Sequence, residues 1–240
     1  IRMGLRWKPG LSLRHPDLKT YLLRSLPIML GWSIVVVDDW ILRREGSVLG
    51  EGAIATVQYA KTLMKVPMGV FGLATGVAAF PTLTRLLAQD KRDEAYSTLS
   101  MAVRRMLVLA FGAQVALTAA GAEIATVIYG PKVSPEQHAE IGVALGLMSL
   151  ALWAWAAQTV VARGFYAMGN TWLPTVLGTG SMLLAYPLYP ALGDLWGTRG
   201  LAIASAAAMT LYVATLIFFL RRQFPGVPDG YGPFFLRIVP

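Results

Sequence analysis

Six apolar stretches follow one another along this 240-residue chain, near residues 21–42, 53–87, 106–129, 141–166, 172–192 and 201–220, with only short polar turns between them. A hydrocarbon core of about 30 Å is crossed by roughly 20 helical residues, so each stretch is long enough to span a bilayer. Charged residues make up 14% of the chain and hydrophobic ones 55%, whereas a soluble domain is about a quarter charged. The expected fold is all-α, a polytopic transmembrane helical bundle of six spans with the start of a seventh at Phe234. A basic lead-in over residues 1–20, a six-helix lobe over 21–222 and a loop with the start of the next helix over 223–240 describe its organisation. Opening on Ile1 and stopping inside an apolar run, the chain reads as part of a longer protein.

Net charge is +8, but the basic residues cluster at the ends of the spans, where a membrane protein places them, and this argues against a nucleic-acid partner. If the spans alternate, one side receives the segment up to Arg24, the 85–105 loop, Arg163 and the tail from Arg221, which together hold fifteen Lys and Arg. The other side holds four, Arg43, Arg44, Lys132 and Arg199. That asymmetry puts the first set in the cytoplasm. The 89–100 loop, of mixed sign, reads as a surface helix lying on the membrane. Trp32, Trp40, Trp153, Trp155, Trp172 and Trp196 read as interface anchors, and Gly69, Gly72 and Gly76, following Pro67, as a smooth face for close helix packing.

The cysteine count is zero, which excludes disulfides, thiolate chemistry and Cys-based metal sites. His15 and His138 read as solvated loop residues without metal-ligand neighbours, so no metal site is expected.

Two lysines interrupt the second apolar stretch. A charge at membrane depth costs roughly 3 kcal/mol on insertion scales, and a span that keeps one faces a hydrated cavity or a partner of opposite charge. Lys61 and Lys65 stand four residues apart and share one helix face, with Gln58 and Thr62 beside it. Lys61 lies about 12 Å along the helix from Ala53, at 1.5 Å per residue. Two readings stand here. Salt bridges to Asp38 and Asp39 near the end of the preceding span would glue the bundle; alternatively the lysines line a cavity. Two lysines and two adjacent acids exceed what one bridge requires, and the acids point about 100° apart on a helix, so the cavity is the expected arrangement. A cationic cavity suits an anionic substrate, phosphate above all. The lysine face carries no histidine, carboxylate pair or serine–base arrangement, and the chain no DxxD-type magnesium cluster, so transport is expected rather than catalysis.

Three stretches carry a family resemblance. Residues 50–87 (GEGAIATVQYAKTLMKVPMGVFGLATGVAAFPTLTRLL), 162–175 (ARGFYAMGNTWLPT) and 197–206 (GTRGLAIASA) resemble, in order and spacing, the MurJ/MviN family of lipid II flippases, within the multidrug/oligosaccharidyl-lipid/polysaccharide exporter superfamily. The resemblance implies the family's C-terminal lobe, helices seven to twelve with the start of thirteen, and an N-terminal lobe elsewhere. It also implies a multi-pass protein of the bacterial inner membrane, in contact with membrane lipids. Its substrate would be lipid II, the undecaprenyl-diphosphate-linked peptidoglycan precursor, carried by alternating access.

The family's helix-eight motif YADRL is matched by Tyr59, Ala60, Lys61, Thr62 and Leu63, so Thr62 stands at the cavity arginine and Lys61 at the acid. Lys61 or Lys65 would then supply the positive charge for the diphosphate, with Gln58, Tyr59 and Thr62 around it. A sodium-binding arrangement seen in the family would use Asp39 or Asp38, Ser205 and Ser181. Ala185 replaces its second acid, leaving the set poorer in negative charge than a cation site wants. An exporter of another undecaprenyl-linked glycan and a non-transporting scaffold lobe are the alternatives. A cavity lined by Lys61 and Lys65 favours transport; burial in salt bridges with Asp38 and Asp39 favours the scaffold.

Overall fold

The computed structural model describes residues 16–50 and 52–225, which contain helices and no strand. In chain order these are α1 (Pro16–Val48), α2 (Ala53–Pro67), α3 (Ala74–Ala88), α4 (Arg92–Ala119), α5 (Gly121–Tyr129), α6 (Pro135–Ser149), α7 (Leu152–Ala167), α8 (Trp172–Ala185) and α9 (Leu188–Arg222). Residues 1–15 of the basic lead-in and the span expected from Phe234 lie outside the described residues.

The expected all-helical class holds, but the helix breaks differ from the expected spans. α2 and α3 form one rod of 36 residues, Ala53–Ala88, joined by the π-helical turn Met68–Leu73. Pro67 withdraws an N–H, frees the carbonyl one turn earlier, and the ladder widens directly after it. The stretch 106–129 is not one helix: α4 ends at Ala119 and α5 restarts at Gly121. No separate surface helix precedes it, because α4 runs unbroken from Arg92 and already buries Tyr96 and Leu99. α6 and α7 meet at a bend of 46°. The stretch 172–192 is divided as well, α8 ending at Ala185 and α9 starting at Leu188, while the expected gap between 192 and 201 is present as a break in α9 at Gly197, whose φ of 58° suits glycine and few other residues.

By length and composition, Ala53–Ala88, Arg92–Ala119 and Leu188–Arg222 are apolar helices able to cross a membrane, and α6 with α7 makes a fourth if counted as one bent span. α8 is a shorter apolar helix.

The bent α6–α7 pair occupies the centre. α6 packs on α2, α4, α5 and α9, while α7 packs on α3, α4 and α9. Leu145, Leu152, Ala154, Val160 and Phe165 are completely enclosed there. Around the outside, Val77, Val127, Leu183 and Leu184 are exposed, an apolar exterior that suits lipid rather than water.

Close packing joins the π turn and α3 to α7 through small residues. A Cβ added to Gly72 would meet Thr159 Oγ1 at 2.8 Å and the Ala156 Cα at 2.9 Å, so only glycine permits that approach. Gly76 is pressed against Arg163 in the same way, whereas Gly69 faces open space. Two further expectations change. His138 is buried within α6 rather than solvated in a loop. Trp155 is a core residue, while Trp40, Trp172 and Trp196 are exposed as interface anchors would be.

Candidate functional site

The antiparallel pair α1 and α2 brings two acids against two lysines. Asp38 and Asp39 diverge round α1, yet both reach Lys61, because its long side chain ends between them. Lys61 Nζ donates a hydrogen bond to Asp38 Oδ2. It lies 2.5 Å from Asp39 Oδ1 without hydrogen-bond alignment, so that contact is ionic. The same ammonium stands 5.0 Å from the centre of the Trp155 ring on α7, within range of a cation–π attraction. Lys61 has 0% of its surface exposed and Asp38 2%.

α9 completes the cluster. Tyr189 Oη donates to Asp38 Oδ1, and Ser205 Oγ donates to Asp38 Oδ2 at 3.2 Å. These two hydroxyls and Lys61 satisfy both oxygens of the buried carboxylate. At a separation of about 4 Å and an effective dielectric near 20, one unlike-charged pair attracts by about 4 kcal/mol. Burial of both ions opposes that gain, so the geometry holds only because the hydroxyls and the second acid meet the remaining polar groups.

One turn further along α2 the surroundings change. The Lys65 side chain is 41% exposed, with Nζ 3.5 Å from Asp39 Oδ2. Thr62 is exposed, and its hydroxyl donates to the Gln58 carbonyl of its own helix at 2.8 Å. Gln58 is half-buried, with its Nε2 unpartnered. Tyr59 stacks on Tyr129 at 4.4 Å between ring centres, and its carbonyl accepts from Tyr129 Oη at 3.0 Å. Ser181 is buried on α8 and is not among the groups bonded to Asp38.

The structure therefore separates residues that the sequence grouped. Lys61 does not line a cavity; it is sealed in the interior by Asp38, Asp39 and Trp155. Lys65, Thr62 and part of Tyr59 and Gln58 lie toward the surface of the helical bundle. Tyr189 and the role of Trp155 were not legible beforehand. Tyr189 is the second of the two residues between Pro187 and Pro190, and no charge or motif marks it.

An apolar exterior around an ion-paired, solvent-free interior defines a polytopic membrane protein. Residues 1–237 match the family model described as lipid II flippase MurJ, and the chain belongs to that family. It is 24% identical to the probable lipid II flippase MurJ of Bdellovibrio bacteriovorus, over 90% of this chain and 42% of that protein. It is 29% identical to the corresponding protein of Rhizobium tropici, over 93% and 41%. Against the lipid II flippase MurJ of Burkholderia cenocepacia it is 24% identical, over 96% and 45%. A solved lipid II flippase MurJ in an inward closed conformation shares the fold, with a TM-score of 0.73 at 19% identity over 88% of this chain and 45% of that one. The chain thus spans less than half the length of the relatives it matches.

Proposed function

We propose that this chain is the C-terminal lobe of a lipid II flippase. Together with an N-terminal lobe, it would carry undecaprenyl-diphosphate-linked peptidoglycan precursor across the bacterial inner membrane by alternating access. No bond is made or broken in such a step, so the protein is a transporter rather than an enzyme. In this reading the lobe covers residues 21–222 and crosses the membrane six times. The crossings are α1, the α2–α3 rod, α4 with α5, α6 with α7, α8 with the first turns of α9, and the rest of α9. The ends near Arg24, Arg85–Arg105 and Arg221 face the cytoplasm on the charge count. Reporter fusions at residues 89–91 and 130–134 should therefore report opposite sides, and a same-side result would undo this topology.

The observation that carries the substrate assignment is the half-exposed ammonium of Lys65, well inside a membrane-length rod and beside exposed Thr62. An ammonium there serves as a point-charge phosphate binder, with Gln58 and Tyr59 as its polar neighbours. Lys61, being sealed, is not the clamp. The test is growth of a flippase-depleted cell that depends on the full-length protein. Lys65→Ala at normal protein level should abolish growth, and Thr62→Arg on that background, restoring the family's charge about one helical turn away, should recover it. If Lys65→Ala supports growth, the clamp lies outside this lobe.

The second reading, a scaffold lobe without transport, is favoured by one observation: Lys61 is buried in salt bridges with both aspartates. Failure of the unaltered full-length protein to support growth, with Thr62→Arg giving it that ability, would establish it.

A further inference from the structure

The acid and hydroxyl that the resemblance assigns to a sodium site do meet, as Asp38 and Ser205, but their surroundings do not suit an added cation. Asp38 Oδ2 already accepts from Lys61 and Ser205, and Asp38 Oδ1 from Tyr189. Any further cation on this carboxylate would sit against an ammonium. Asp38, Ser205 and Tyr212 border a void of about 10 Å³ whose remaining walls are Trp155, Gly178, Met182, Ala208 and Met209. That is room for about one water sphere, and most of its walls offer no oxygen, whereas a hard cation wants several. Ala185 is buried where the family's second acid would stand. Charge bookkeeping agrees: Asp38 and Asp39 are matched by Lys61 and Lys65, and a sodium would leave one uncompensated positive charge in the interior.

We infer that Lys61 is a tethered counter-cation, filling from within the chain the position that an exchangeable cation would take at Asp38, so that this lobe binds no sodium. Burying this carboxylate without a partner of opposite charge is costly. It is neutralised by an ammonium that, being covalently held on α2, cannot follow a gradient. Removing that ammonium leaves the Asp38 carboxylate with its two hydroxyls, the Asp39 carboxylate beside it and the space of a lysine tip, which is a cation site by its chemistry. The inference stands apart from the transport reading, since it concerns ion binding and not substrate.

The test uses the full chain purified in detergent, with thermal unfolding and retention of radioactive sodium measured in sodium chloride and in choline chloride at equal ionic strength. The unaltered protein should unfold at the same temperature in both salts and retain no sodium. Lys61→Ala should unfold at a lower temperature in choline and recover by about 5–10 °C as sodium saturates it, the shift expected for a ligand at roughly a hundred times its dissociation constant. It should retain about one sodium per chain, and Asp38→Asn added to it should abolish both effects. If Lys61→Ala cannot be produced, folding of Lys61→Ala/Asp38→Asn supports the inference, because only the uncompensated carboxylate is then at fault. Sodium-specific stabilisation of the unaltered protein overturns it. So does a Lys61→Ala protein of unchanged stability that ignores sodium, and so does loss of the double variant as well, which would make Lys61 a packing residue.

Discussion

The two halves of the α2–α3 rod are held to the bundle by opposite means. α2 is attached through charge, with Lys61 gripping Asp38 and Asp39 on α1. α3 and the π turn before it are attached by the absence of side chains, with Gly72 and Gly76 letting α7 come close. In lipid neither half gains from burying apolar surface, because the acyl chains are as apolar as the neighbouring helices; what remains is close contact and polar pairing. The rod uses one of these on each side of its π turn.

Substitutions can break either attachment, and their expected sizes differ. Lys61→Ala should be the most damaging, costing about 3–5 kcal/mol, because it strands a buried carboxylate; thermal unfolding in sodium-free detergent measures it. Gly72→Val should cost about 1–3 kcal/mol by overpacking against Ala156 and Thr159, seen in the same assay and unaffected by sodium, which separates the two halves. Lys65→Ala should change stability by no more than about 1 kcal/mol, since the ion pair is part-exposed and screened, while its effect on growth is large. Thr62→Arg, at an exposed position, should lie within about 0.5 kcal/mol of the unaltered protein. A stability loss at Lys65 as large as that at Lys61 would erase the distinction drawn between their surroundings.

How far the sequence foretold this arrangement depends on the type of signal. The helical class followed from the apolar stretches, and Asp38, Asp39, Lys61 and Lys65 were visible as charges where charges are costly. Which lysine is sealed and which is open was not visible, since an i,i+4 pair shares a face and helical spacing does not say where along that face the partner helix ends. The breaks at Ala120 and between Ala185 and Leu188 and the α6–α7 bend were missed for a related reason, whereas the break at Gly197 falls in the expected gap between residues 192 and 201. A helix face against lipid and one against protein have the same composition, so periodicity does not reveal where a neighbour forces a turn. Gly72 and Gly76 were legible as a packing face because small residues at helical spacing leave few other uses; Gly69, at the same spacing, has no neighbour to pack on. His138 was misplaced because the helix that buries it begins earlier, at Pro135, than the apolar stretch suggested.

Tyr189 and Ser205 lie on opposite sides of the Gly197 break in α9, and both hold the same carboxylate. Asp38 is thus a tie-bar across a joint. The backbone leaves helical φ/ψ at Gly197, and beside the close approach of Gly200 to Leu192 and of Gly193 to Leu201 one side chain from another helix links the two arms. Straightening or folding that joint must release one arm from α1, so the bend of α9 and the seating of α1 change together or not at all.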